Sequence, residues 1–112
     1  MSPLYQKEID SCGEEVDRID ERIAELLARR QEFALDIERI KRENSVPIIR
    51  RAVEKARMFK YRGLAKKFAL SSFFLQSIFW LIIGESVRVQ LAQREKEGNK
   101  QQACSQMKKE TS

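Results

Sequence analysis

The chain has 112 residues, 42% apolar and 35% charged, which suits one soluble domain and is too apolar for a disordered chain. There is no histidine, and the two cysteines, Cys12 and Cys104, lie far apart. A disulfide framework, a zinc site and histidine-based acid–base chemistry are all unexpected, and so is any metal. The net charge of +5 is concentrated: residues 39–67 hold eleven Lys/Arg against two acids, Glu43 and Glu54. Such a stretch attracts anions, whether a metabolite, a nucleic acid or an acidic membrane.

Residues 6–43 predict one long helix. Apolar positions recur at Ile9, Cys12, Val16, Ile19, Ile23 and Leu26, then at Phe33, Ile37 and Ile40. From Val16 the steps run 3, 4, 3, skip 7, then 4, 3, a heptad-like seam that asks for a partner helix. Arg30 fills the skipped position. A cation in an apolar seam is costly unless it meets an anion, either a carboxylate on a neighbouring helix or a bound ligand. Only four Gly and two Pro interrupt the chain, so a single small domain of long helices would bury little surface alone, and oligomerisation is the usual remedy.

Asn44-Ser45-Val46-Pro47 breaks that helix, because Pro47 disfavours helical geometry at Val46 and has no amide hydrogen. A second, strongly basic helix is predicted from Ile48–Arg50 to about Lys67. Ser71 or Ser72 would cap a third helix over roughly 72–95. It opens on the apolar run Phe73 to Ile83, which at sixteen residues from Phe68 is short for a membrane span and reads as a core helix buried from several sides. Residues 97–112 are polar and predict a disordered tail behind a helical domain at 1–96. The N-terminus lacks the basic-then-apolar order of a secretory signal, so a cytoplasmic location is expected, without a membrane partner.

Arg30 and Lys41 are eleven residues apart, close to three helical turns, which puts them on one face about 16 Å apart along the axis. Ser86 and Gln90, four apart, are neighbours on the third helix. With Glu54 they would suit a small anion rich in oxygen. Arg grips a carboxylate with a planar fork, and Lys reaches a developing oxyanion. No nucleophile with an adjacent base is visible, so covalent catalysis is not suggested.

The segment from Val16 to Lys41, VDRIDERIAELLARRQEFALDIERIK, resembles the first helix of the AroQ-class, all-helical chorismate mutases. Pro47-Ile48 and FWLIIGESVRVQ, from Phe79 to Gln90, are similar to that family's later motifs. The resemblance covers about residues 6–92 and is weakest over 50–69. It implies an all-α fold of three helices, the long first helix intertwined with that of a second copy in a homodimer. It also implies an isomerase of the shikimate pathway that rearranges chorismate to prephenate for phenylalanine and tyrosine synthesis, without a cofactor.

Carried over by position, Arg30 would bind a carboxylate, and Lys41 a carboxylate and the ether oxygen. Gln90 would donate to that same ether oxygen. Ser86 would assist at a carboxylate, and Glu54 would hold the substrate hydroxyl. Three positions depart from the pattern. Gly13 and Val53 stand where the family has arginines, and Arg50 stands where it has an aspartate. Arg50 or Arg57, one turn either side of Val53, would supply a replacement cation. Other readings are a non-catalytic or regulatory relative, an isochorismate lyase of the same fold family, and a nucleic-acid-binding helical protein. The last is disfavoured because only Phe59 and Tyr61 interleave the basic stretch, so no nucleic acid is expected as partner.

Overall fold

The computed structural model describes residues 3–49 and 51–110, with the backbone alone at 51, 52 and 103–110. Regular structure among these residues is helical throughout: α1 over Leu4–Glu43, α2 over Arg51–Lys67 and α3 over Ser72–Glu110. The first two helices lie where the sequence pattern places them. α3 differs, because it runs well past residue 95, where the polar composition predicts its end.

The helix ends have local causes. α1 stops as Val46 N–H donates to Lys41 O (2.8 Å) and Ser45 N–H to Arg42 O (3.3 Å), with Ser45 at a left-handed φ of 56°. α2 ends in the same way, with Leu70 N–H on Ala65 O (2.8 Å), Ala69 N–H on Lys66 O (3.3 Å) and Ala69 at φ 54°. Both are Schellman motifs built without glycine. Ser71 then caps α3, its Oγ accepting the Phe74 amide at 3.3 Å.

The chain divides into two compact units, Met1–Glu32 and Phe33–Ser112. The described part of the first is the leading stretch of α1, dressed by exposed pairs such as Arg22–Glu25 at 2.6 Å and Arg18–Glu15. Such pairs contribute only about 0.3–0.5 kcal/mol each. Its seam residues Ile9, Val16, Ile19, Ile23 and Leu26 are all 46% exposed or more.

The second unit holds the end of α1, α2 and α3. Its small core is Ala34, Ile48, Tyr61 and Ala65, with α2 packed on α3. Ala65 is 1% exposed, and Tyr61 lies flat on Phe79, ring centroids 4.0 Å apart. The rest of the apolar run on α3 is not buried from several sides as the sequence suggests. Phe73, Trp80 and Leu81 are 83%, 62% and 74% exposed within the chain. Three long helices offer too few faces to cover one another. By length and composition alone the stretch Ser72–Gln102 could cross a bilayer, a test that core helices of soluble proteins also pass.

Candidate functional site

The second unit carries most of the sequence-derived site. Lys41 lies near the end of α1, and its Nζ donates to Ile48 O at 2.8 Å. Ile48 is buried, so this bond anchors the turn between α1 and α2 to the helix it leaves. Glu54 is half-buried in the first turn of α2, where the helix dipole favours an anion. Ser86 is half-buried one turn before Gln90, and Gln90 is only 7% exposed. Packing around this buried side chain restricts the rotamers open to its amide.

The remaining predicted residues are placed differently. Arg30 is half-buried on α1 and belongs to the first unit. Arg57 is exposed on α2, and Arg50 lies outside the described residues. Val53, where the family pattern has an arginine, is 40% exposed. Gly13 sits within α1, and a Cβ built there meets no atom within 4 Å. Among the described residues no cluster of three or more His, Cys, Asp or Glu could hold a metal.

Sequence reasoning missed an ionic cluster beside these residues. Glu38, one turn before Lys41, is completely buried. Arg94, one turn after Gln90, brings its Nε to 3.3 Å from Glu38 Oε1 and both Nη atoms to 3.5 Å from Val46 O. Arg42 Nε lies 3.6 Å from the same Glu38 oxygen, and Arg42 Nη1 reaches Glu97 Oε2 at 3.1 Å. Burying a lone carboxylate costs several kcal/mol, so two guanidinium groups beside it are what permit Glu38 to stay inside. The i, i+4 spacing of Glu38 and Arg42 was visible in the sequence. The pairing to Arg94, 56 residues on, was not.

The fold and these side chains define a helical domain with cations and a buried amide around the junction of α1, α2 and α3. Over residues 12–91 the chain matches the family described as chorismate mutase type II, and it belongs to that family. Two relatives are named bifunctional chorismate mutase/prephenate dehydratase. The one from Buchnera aphidicola subsp. Schizaphis graminum is 38% identical over 80 residues, 71% of this chain and 21% of the relative. The one from the Acyrthosiphon pisum subspecies is also 38% identical, over 77 residues, 69% of this chain and 20% of the relative. The chain thus spans about a fifth of the length of these relatives.

Proposed function

We propose that this chain catalyses the rearrangement of chorismate to prephenate as a cytoplasmic homodimer, within phenylalanine and tyrosine biosynthesis. The observation that carries the reading is the family match over residues 12–91, which contains Arg30, Lys41, Glu54, Ser86 and Gln90. The dehydratase activity in the relatives' names is not assigned to this chain.

The reaction breaks one C–O bond and forms one C–C bond within a single molecule, so no proton transfer or covalent enzyme intermediate is needed. Catalysis rests on holding a flexible dianion in its reactive shape and on stabilising charge at the ether oxygen. Arg30 and Lys41 bind the carboxylates, and Ser86 assists there. Lys41 and Gln90 donate to the ether oxygen as its bond to carbon lengthens. Glu54 accepts from the substrate hydroxyl. Arg50 or Arg57 supplies a cation in place of the one missing at Val53.

The second copy answers the unburied seam. Ile9, Val16, Ile19, Ile23, Leu26, Phe33, Ile37 and Ile40 all remain at least 40% exposed within one chain. Charge supports the same pairing: residues 4–32 carry nine acids against five bases, opposite in sign to the basic stretch at 39–67.

Incubating the purified chain with chorismate, and following its loss with the appearance of prephenate, tests the reading. Turnover that disappears in both Arg30→Ala and Gln90→Ala supports it. Absence of turnover in the wild-type chain overturns it in favour of a non-catalytic relative, the reading that Gly13 and Val53 would then explain.

A further inference from the structure

Glu38 is the most deeply buried charged group among the described residues, and none of the substrate roles above falls on it. It sits three residues before Lys41 on α1, and its partner Arg94 sits four residues after Gln90 on α3. A second rung, Arg42 to Glu97, follows one turn further along both helices. The two rungs advance in the same direction, so the end of α1 and this part of α3 run parallel here.

Between these segments, Cα atoms of described residues stay more than 8 Å apart. Helices in direct contact approach to about 8–10 Å between axes, with backbone atoms closer still. Spacing and register between α1 and α3 are therefore set by long side chains, and Glu38 is the only one of the four ionic partners wholly out of solvent. The same cluster holds the connecting turn, through Arg94 on Val46 O, beside the Lys41 bond to Ile48 O.

We propose that Glu38 is a positioning residue: by fixing Arg94 it sets the register of α3 against α1, and so the placement of Gln90 relative to Lys41. This rests on the mutase reading above for its consequence in catalysis, and on the geometry of α1 and α3 for its cause. One Glu38 oxygen, Oε2, is buried with no hydrogen-bond partner, so the tie to Arg94 is single-sided and sensitive to the charge on Glu38.

The test has two readouts. For the first, spin labels are placed on the full chain at Asp36→Cys and Ala92→Cys, both exposed, after Cys12→Ser and Cys104→Ser, and diluted with unlabelled chain. The α1–α3 distance distribution should be narrow with Glu38 and broad in Glu38→Gln. This readout stands whether or not the chain turns over chorismate.

For the second, kcat of Glu38→Gln should fall about tenfold or more with KM changed far less, as expected when reacting groups are misplaced by a fraction of an ångström to 1 Å. The double variant Glu38→Leu/Arg94→Leu separates this from lost stability, since replacing a buried ion pair by apolar residues often restores stability. Its thermal midpoint should recover while kcat stays low. A wild-type chain without turnover would sink the mutase reading and leave the distance readout to judge Glu38. An unchanged distance distribution in Glu38→Gln overturns the inference, as does kcat that recovers together with the midpoint in the double variant.

Discussion

Tyr61 on α2 and Phe79 on α3 stack face to face, 4.0 Å between ring centroids and 7° from parallel. With Tyr61 4% exposed, this contact is the centre of the α2–α3 packing. Phe79→Ala should lower stability by about 3 kcal/mol, read as a drop in the denaturation midpoint. The same stack withdraws Tyr61 from any role as a base-stacking ring, which leaves the basic stretch with Phe59 alone. Binding to single-stranded nucleic acid should accordingly be weak, and Tyr61→Leu should not weaken it further.

The two left-handed residues, Ser45 and Ala69, occupy positions that glycine fills without a steric penalty. An L-residue pays about 1–2 kcal/mol for that conformation. Ser45→Gly and Ala69→Gly should each raise the thermal midpoint, by an amount equivalent to roughly 0.5–1 kcal/mol after the added freedom of the unfolded chain. A lowered midpoint in both would contradict the cause given for these helix ends.

Gly13 lies inside α1 with open space around its Cβ position. Gly13→Arg should therefore be accommodated and should stabilise the helix by roughly 0.5–1 kcal/mol. If the missing cation limits turnover, Gly13→Arg and Val53→Arg should each lower KM for chorismate or raise kcat, measured by steady-state kinetics. Equal kinetics in both variants and wild type would show that Arg50 or Arg57 already serves.

Glu85, half-buried, and Arg88, exposed, form a pair on α3, with Arg88 Nε at 3.1 and 3.0 Å from the two carboxylate oxygens. The hydrogen bond from Arg88, assisted by its charge, holds the Glu85 carboxyl below its ordinary value despite slight desolvation. A carboxylate so lowered contributes stability that is complete above the ordinary value of about 4.3 and is lost as pH falls through the lowered one. Helicity followed by circular dichroism should show a small acid loss, reduced in Glu85→Gln and absent as a cause above about pH 5.

The exposed seam gives a test of assembly. Ile19→Asp/Ile23→Asp alters two residues that are 58% and 50% exposed in the single chain. A monomeric role would leave sedimentation and turnover unchanged. Burial of about 1.5–3 kcal/mol per seam residue against a second copy predicts dissociation and loss of turnover instead.

Much of the fold was legible because its signals are local. The seam from Val16 to Ile40 marked α1, Pro47 marked the break, and Ser71 marked the start of α3. The end of α3 was not legible, since Lys, Gln and Glu favour a helix and a solvated coil alike. Burial also escaped, because which side of Phe73 or Trp80 meets a neighbour depends on other helices. For the candidate site, spacing and motif singled out Lys41, Ser86 and Gln90, and all three fall in the second compact unit. Glu38 and Arg94 were not, since each looks like an ordinary surface charge until the helices bring them within 3.3 Å.

An apolar seam left open along α1 ties the integrity of the fold to abundance. If that surface is closed only by another copy, folding free energy includes a concentration term, and dilution alone melts the protein. Expression level would then act as a threshold: scarce chains would stay unpaired and vulnerable to proteolysis, and plentiful ones would protect each other.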